Sequence, residues 1–253
     1  MGFRKKKCLL FYKRNREVMK LLQVSNVSFH YLKKPILQNV SFSFPIGQII
    51  GLVGENGSGK STLLKVMAGL LSPTSGEVQL DGKPVTRKSA DTIAYLPDTD
   101  LFFEYYTGEQ LFSHYASQFT DFSYEKASSV AEYLQVDKQT KLKHLSKGNR
   151  GRMKMAATLG REVSYYIMDE PFSGLDPMVR ESLIKGLIQF TDIETQTIVL
   201  STHELYEVEP ILDQIILLQN GSIVAQEEME NVRDVNNQDA VQWMKSYYKE
   251  RVK

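Results

Sequence analysis

The sequence predicts an α/β protein with a parallel core sheet, an N-terminal antiparallel β-region and an inserted helical region. Residues 20–53 contain segments of alternating polar and apolar side chains, typical of antiparallel strands with one exposed face. From residue 163 onward, strand-like and helix-like segments alternate, as in a parallel sheet with crossover helices. Between these parts, residues 101–124 hold nine of the chain's 26 aromatic residues and a helix-start signal.

The first part of the chain is predicted to form strands around one helix. Leu21 to Val27 and Ile36 to Phe44 alternate in polarity, so one face of each is expected to be exposed. Ile49 to Val53 is almost entirely apolar, as a strand buried on both faces should be. A helix follows from Lys60 to about Leu70, and Glu77 to Leu80 returns as a strand.

The middle of the chain is predicted to be helical, and the last third to alternate. Thr107 and Gln110 have the spacing of a capping box, so a helix is expected to begin there. A second helix is expected from Tyr124 to Leu134, and a final one near 238–250. The alternating elements of the last third are predicted at 165–168, 177–190, 197–201, 204–211, 214–218 and 223–225.

The composition is that of an ordinary globular protein and excludes a collagen, a mucin, a disordered chain and a disulfide scaffold. Of the 253 residues, 42% are hydrophobic and 24% charged, as in ordinary globular proteins. The single cysteine, Cys8, excludes an intrachain disulfide and fits a reducing compartment. No apolar run approaches the ~20 residues of a spanning helix, so this chain is not expected to cross a membrane by itself.

Charge is distributed unevenly along the chain. The net charge of the whole is +1, but residues 1–20 carry eight Lys and Arg against one Glu, so the remainder is mildly acidic. An acidic body argues against a nucleic-acid partner, which requires a basic face. The apolar run within residues 1–20 is too short for a signal peptide. This basic segment suits attraction to an anionic membrane surface or, as we interpret it, forms a disordered extension. Met19, just before the first strand, is a second candidate start.

A phosphate-binding loop is predicted between the buried strand and the first helix. Gly54 to Ser61 fits the pattern G-x-x-x-x-G-K-[ST] at every fixed position. Its glycines let backbone N–H groups converge on phosphate oxygens, and the helix N-terminus adds partial positive charge. Lys60 is expected to reach the β- and γ-phosphates, and the Ser61 hydroxyl to ligate Mg²⁺.

Two carboxylates end a later apolar strand. Tyr165 to Met168 is followed by Asp169 and Glu170, and carboxylates at the carboxyl end of a parallel strand project into the crevice beside the phosphate loop. Asp169 is expected to hold Mg²⁺, directly or through water. Glu170 is expected to polarise the attacking water as general base. The alternative is a strand that simply ends in solvent with two charges.

Several ordered motifs together resemble the nucleotide-binding subunit of ABC transporters, over roughly residues 20–225. The resemblance rests on these segments: Gly54–Ser61 (Walker A), Ile167–Glu170 (the end of Walker B), Leu145–Asn149 with Arg152 (the signature usually written LSGGQ), Ser173–Asp176 (the D-loop) and Ser201–His203 (the switch histidine). The resemblance implies a P-loop NTPase fold of the ABC cassette type, with an antiparallel β-subdomain and a helical subdomain at about 99–160. Residues 1–19 are then the extension, 20–225 the ATPase domain and 226–253 a C-terminal helical segment.

The resemblance also implies roles for individual residues. Tyr31 is expected to stack on adenine, although a tyrosine packed on a sheet is the plainer alternative. Ser146 and Gly148 are expected to bind the γ-phosphate of a second subunit, with Asp176 lining that interface. His203 is expected to hold the γ-phosphate and the water beside Glu170.

The expected site therefore has three parts, in an enzyme that uses ATP and Mg²⁺. The catalytic residues are Glu170, His203 and Lys60, and the metal ligands are Ser61, Asp169 and Asp98. The nucleotide-binding residues are Tyr31, Gly54, Glu55, Asn56, Gly57, Ser58, Gly59, Lys60, Ser61, Thr62, Ser146, Gly148 and Asp176.

Three residues depart from the family pattern. Lys147 replaces the first signature glycine, and Asn149 replaces the signature glutamine. Asp98 stands where the family usually has the Q-loop glutamine; its oxygens suit Mg²⁺, but its charge is unfavourable near phosphates unless metal neutralises it.

The resemblance implies an ATP-hydrolysing subunit that pairs with a second cassette, identical or different, and drives a separate transmembrane permease. The motifs look most like those of bacterial exporters, so the subunit is expected in the cytoplasm, on the inner face of the membrane. The aromatic segment is expected to contact the permease, or to form a small core of its own. The alternatives are a weakly hydrolysing or binding-only subunit and a non-transport ABC ATPase.

Overall fold

Two β-sheets and a layer of helices build the protein in the computed structural model, which describes residues 21–99, 103–235 and 238–249. The strands are β1 Leu21–Tyr31, β2 Lys34–Pro45, β3 Ile49–Val53, β4 Ser75–Leu80, β5 Lys83–Pro84, β6 Ile93–Leu96, β7 Tyr165–Met168, β8 Thr197–Thr202, β9 Gln214–Gln219 and β10 Ser222–Glu228. The α-helices are α1 Lys60–Met67, α2 Gly108–Gln118, α3 Tyr124–Tyr133, α4 Lys147–Leu159, α5 Pro177–Gln189, α6 Leu205–Val208 and α7 Ala240–Lys249. The predicted basic extension, 1–19, and Phe102 lie outside the described residues.

The smaller sheet is antiparallel, as its alternating sequence predicts. Its strand order is β2-β1-β4-β5, and Leu22 of β1 lies opposite Phe44 of β2 and Leu80 of β4. Leu22 and Val24 face inward and are buried, while Gln23 between them is exposed. The buried face shares one hydrophobic core with α1, so this sheet holds the helix that follows the phosphate loop.

The larger sheet has six strands in the order β10-β9-β3-β8-β7-β6. β3 pairs in parallel with both β8 and β9, and β7 pairs in parallel with β8 and β6; β10 alone runs antiparallel, against β9. All five residues of β3 are buried. Ile50 and Leu52 face the core shared with the smaller sheet, whereas Ile49 and Val53 face the helical side. The apolar run therefore marks a strand covered on both faces, as predicted.

The helical layer begins at the predicted capping box. The Thr107 hydroxyl accepts a hydrogen bond from the Gln110 N–H at 3.3 Å, and Gln110 Oε1 accepts one from the Thr107 N–H at 2.9 Å. These two bonds satisfy amides at the helix start, which fixes where α2 begins.

The aromatic segment divides between core and surface. Phe112 and Phe122 are buried, with ring centroids 6.2 Å apart. Phe103, Tyr105 and Tyr124 remain exposed, Tyr105 at 70%. Some rings therefore build the core of the layer, as one interpretation expected, and others cover its surface.

One strand of the central sheet was not predicted. Ile93–Leu96 forms β6, which pairs in parallel with β7 from Ile93–Tyr165 to Leu96–Met168. A four-residue apolar run is too short for periodicity to distinguish a strand from a loop. The pairing brings the carboxyl ends of β6, β7, β8 and β3 to one edge of the sheet, with Asp98 two residues beyond β6.

We predict that Phe112→Ala lowers the free energy of unfolding by about 3–5 kcal/mol, because Phe112 is fully buried. Tyr105→Ala is the control, and we expect it to stay within about 0.5 kcal/mol of wild type because its ring is exposed. Urea unfolding followed by circular dichroism measures both. Equal losses would show that the exposed aromatic contributes to the core as much as the buried one.

Candidate functional site

The phosphate loop connects β3 to α1 through glycines in the left-handed region. Gly54, Gly57 and Gly59 have φ values of 151°, 81° and 109°. A Cβ on Gly54 would overlap the carbonyl oxygen of Leu218, so only glycine fits there. Gly59 is the N-cap of α1 and provides no side-chain hydrogen bond to the first-turn amides, which leaves those amides for another acceptor. The arrangement suits an anion at this helix end.

The buried side chain of Lys60 reaches back to the first residues of the phosphate loop. The residue is 6% exposed, and its Nζ donates to the carbonyl oxygens of Gly54 at 2.8 Å and Glu55 at 3.2 Å. Its Nζ also lies 4.0 Å from Glu170 Oε1. Burial lowers the pKa of the Lys60 ammonium, while the charges of Glu170 and Asp169 raise it in part compensation. The cation is thus held between the loop and the two carboxylates.

Asp169 is a buried carboxylate with donors on both oxygens. It is 3% exposed. Ser61 and Ser201 both donate to Oδ1, at 3.0 and 2.8 Å, and the Tyr95 hydroxyl lies 3.4 Å from Oδ2. A hydroxyl and one carboxylate at this spacing are hard oxygen donors, the set that Mg²⁺ takes in proteins alongside phosphate oxygens. The Ser61 hydroxyl and the Asp169 carboxylate therefore have the donor chemistry that a magnesium ion requires.

Tyr95 stays a neutral donor beside that carboxylate. Burial raises the pKa of its phenol most; the charge of Asp169 and the hydrogen bond to it add to the shift, and Asp98 and Tyr31 contribute less.

The other two predicted site residues, Asp98 and Tyr31, lie at the surface. Asp98 is exposed, and its backbone carbonyl accepts a hydrogen bond from Lys154 Nζ at 2.9 Å. Tyr31 is 48% exposed and packs edge-on against Phe29 at 4.8 Å, so one face of its ring is accessible.

Glu170 adopts an unusual backbone conformation, with a φ of 47°. Left-handed backbone costs free energy in residues other than glycine and persists where surrounding contacts fix it. The contacts here are its N–H, which donates to Ser201 Oγ at 2.9 Å, and its Oε2, which lies 2.8 Å from His203 Nδ1. The His203 N–H also points at Oε2, at 3.3 Å. The carboxylate and the imidazole therefore form one unit.

The signature segment and the D-loop contact each other within this chain. Ser146 caps α4, its Oγ accepting from the Asn149 N–H at 3.2 Å, and Asp176 caps α5, its Oδ1 accepting from the Val179 N–H at 3.0 Å. Gly148 faces Val179 across a close approach: a Cβ on Gly148 would lie 3.4 Å from Val179 Cγ2, which is an ordinary van der Waals contact. The starts of two helices are thus presented side by side.

Apart from Tyr31 and Asp98, the sequence-predicted residues therefore fall into two groups. The loop residues, Ser61, Asp169, Glu170 and His203 meet at the carboxyl edge of the central sheet, whereas Ser146, Gly148 and Asp176 lie together at the helix starts. Sequence analysis named Ser201 in the Ser201–His203 motif but gave it no role, whereas its hydroxyl joins Asp169 to Glu170. The available signal was a serine directly after the apolar residues 198–200, in a strand that is buried throughout.

Comparison with known proteins identifies relatives of this chain. Residues 37–173 match the family model described as ABC transporter. The ABC-type transporter ATP-binding protein EcsA of Bacillus subtilis is 30% identical over 85% of this chain and 90% of its own length. The Nod factor export ATP-binding protein I of Neorhizobium galegae is 28% identical over 81% of this chain and 61% of its own. A solved ATP-binding subunit of an ABC transporter superposes with a TM-score of 0.76 at 27% identity, covering 92% of this chain and all of that one.

We predict that Ser201→Ala destabilises the protein by about 1–3 kcal/mol, because it leaves the partly buried Glu170 N–H without its acceptor and removes a donor to Asp169. Ser129→Ala is the control, since its exposed hydroxyl only donates to Glu125 within α3. Denaturant unfolding measures both changes. A Ser201→Ala variant as stable as the control would show that these hydrogen bonds carry no net stability.

Proposed function

This chain belongs to the ABC transporter family as an ATP-binding subunit, and from that premise we propose that it hydrolyses ATP to drive a transporter. The observation that carries the proposal is the Glu170–His203 unit, 2.8 Å between Oε2 and Nδ1, next to Lys60 and Asp169. Hydrolysis of a phosphoanhydride needs a base, a cation at the phosphates and oxygen ligands for Mg²⁺. The carboxylate and imidazole, the Lys60 ammonium, and the oxygens of Ser61 and Asp169 have the chemistry for these roles.

Each part has a defined role in this proposal. Lys60 and the α1 amides bind the β- and γ-phosphates, Tyr31 stacks on adenine, and Glu170 takes the proton of the attacking water. His203 orients that water and contacts the γ-phosphate. A Mg²⁺ ion held by Ser61 and Asp169, with Asp98 nearby, would neutralise phosphate charge when bound.

A second cassette completes the site. Ser146 and Gly148 begin α4, and the amides of that helix start are suited to a γ-phosphate that belongs to the other subunit. Asp176 lies beside them at the start of α5 and would line the same interface. ATP is then enclosed between two chains, so closure of the dimer depends on the nucleotide.

The transport partner would be a membrane permease. Among the described residues, no helix has the length and apolar character needed to span a bilayer. Phe103 and Tyr105 form an exposed aromatic patch on the helical layer, with Lys143 Nζ 4.9 Å from the Tyr105 ring centroid, and this patch suits a cytoplasmic loop of such a permease. The subunit would then act on the inner face of the cell membrane. Export is favoured by the resemblance to exporter cassettes and by the name of the rhizobial relative.

The second candidate is a subunit that binds ATP but hydrolyses it slowly. It is favoured by Lys147, Asn149 and Asp98, which depart from the family pattern. The paired Glu170 and His203 argue for hydrolysis instead. Turnover by the purified wild-type protein separates the two candidates.

We predict that Glu170→Gln retains ATP binding but loses at least about 100-fold in turnover, because the amide cannot accept the proton of water. ATP should then accumulate a dimer, detected by size-exclusion chromatography with light scattering. Glu125→Gln, an exposed glutamate on α3, is the control and should behave as wild type. Full hydrolysis by Glu170→Gln would remove Glu170 from the mechanism, and a variant that remains monomeric in saturating ATP would count against the shared site.

We predict that Lys60→Ala weakens ATP binding by roughly 10- to 100-fold and abolishes turnover, because a charge-assisted contact to two phosphates is lost. Equilibrium binding of a fluorescent ATP analogue measures the affinity. ATP should not dimerise this variant even when it is combined with Glu170→Gln. Near-normal turnover of Lys60→Ala would contradict the assignment of the phosphate loop.

A further inference from the structure

A buried arginine connects the D-loop to the segment that follows His203. Arg180 lies on α5 and is 8% exposed. Its Nη2 donates to the carbonyl oxygen of Leu175 at 2.9 Å and lies 2.8 Å from Glu204 Oε2, and its Nη1 pairs with Glu207. The guanidinium therefore holds two carboxylates against a helix and is anchored to the loop that leads into Asp176.

Glu204 depends on this cation. Its Oε2 has no hydrogen-bond donor in suitable alignment among the described residues, although it lies close to Arg180 Nη2, so the contact is an ion pair without a well-directed hydrogen bond. The side chain of Glu204 is 29% exposed, whereas that of Arg180 is 9% exposed. Removing one partner of such a sheltered pair leaves the other charge uncompensated.

Glu204 also borders the imidazole of His203. Its Oε1 lies 3.9 Å from His203 Nε2, on the opposite side of the ring from Glu170, which contacts Nδ1. Because Nδ1 lies against the Glu170 carboxylate, Nε2 donates a hydrogen bond only when the ring carries both protons, and for that donor a γ-phosphate and the carboxylate of Glu204 are both acceptors. They therefore compete for the same edge of the ring.

We propose that Arg180 is a positioning residue for ATP hydrolysis: it holds Glu204 back from His203 Nε2, and so leaves that nitrogen to the γ-phosphate. The proposal rests on the proposed function. Arg180 acts through Glu204 and touches neither ATP nor water. Because its guanidinium is fixed to α5 and to Leu175, the same residue ties the orientation of His203 to the D-loop.

The test is a set of variants of the full chain: Arg180→Ala, Arg180→Lys, and each of these combined with Glu204→Gln. Arg180→Ala should lower kcat by about 10- to 100-fold, since small misplacements of a reacting group have effects of this size. The KM for ATP should change by less than about threefold, because the phosphate loop is untouched. Adding Glu204→Gln removes the competing charge and should recover most of the lost kcat.

Lys185→Ala is the matched control. Lys185 is on the same helix and pairs with Glu181 at 2.7 Å, but both side chains are more than 60% exposed. Its kcat should equal that of wild type. Arg180→Lys keeps the positive charge but cannot contact Glu204 and Glu207 through two separate nitrogens. Its kcat should therefore lie between those of wild type and Arg180→Ala. If Arg180→Ala does not fold, the comparison of Arg180→Lys with Arg180→Lys/Glu204→Gln takes its place and should show the same recovery.

A purely structural role predicts a different result. Arg180 would then matter for stability alone, and Glu204→Gln would restore no kcat. That outcome, or a kcat of Arg180→Ala within about twofold of wild type, would overturn the proposal.

A spectroscopic readout separates this proposal from the proposed function. The chain has four histidines, so the imidazole nitrogen signals of His203 can be identified by their loss in His203→Ala. These signals should shift in Arg180→Ala, or in Arg180→Lys if that variant is the one that folds, and return towards wild type with Glu204→Gln. If wild type hydrolyses no ATP, the proposed function fails; the shift and its reversal would still support positioning by Arg180, and unchanged His203 signals would overturn it.

Discussion

The buried carboxylate of Asp169 imposes the main constraint on this site. A carboxylate sheltered from water is costly unless hydrogen bonds and nearby positive charge compensate it. Ser61, Ser201 and Tyr95 supply hydroxyl groups, and Lys60 supplies the charge. These groups come from α1, β8 and β6, so satisfying one carboxylate at the end of β7 fixes the relative positions of four elements.

The parallel sheet makes that convergence possible. Carboxyl ends of neighbouring parallel strands lie at one edge, and β3, β8, β7 and β6 are consecutive in the strand order. Ser201 links Asp169 to Glu170, the proposed base, since its hydroxyl donates to Asp169 and accepts from the Glu170 N–H. The left-handed backbone of Glu170 is the local cost of directing its side chain at His203.

The sequence predicted the parts of the molecule whose signals are local. The apolar run of β3, the capping box of α2 and the glycine pattern of the phosphate loop each follow from neighbouring residues. β6 was missed because four residues carry no readable period, although its pairing with β7 positions Tyr95. The roles of Ser201, Arg180 and Glu204 were missed for another reason: their partners are 24 to 32 residues away in the chain, and only the fold brings them together. Motif reading therefore found the residues expected to meet the nucleotide more readily than those that hold them in place.

Lys147, which replaces the first signature glycine, is another residue whose contacts only the fold reveals. Gly174 of the D-loop has a φ of 64°, and a Cβ there would overlap the ammonium of Lys147. The lysine side chain therefore lies along the D-loop of its own chain and is accommodated by a glycine in that loop. Ser146 still caps α4 and Gly148 still faces Val179, so the helix start that we propose for the second subunit's phosphate keeps its geometry. Because Lys147 adds positive charge beside that helix start, its position favours an anion there.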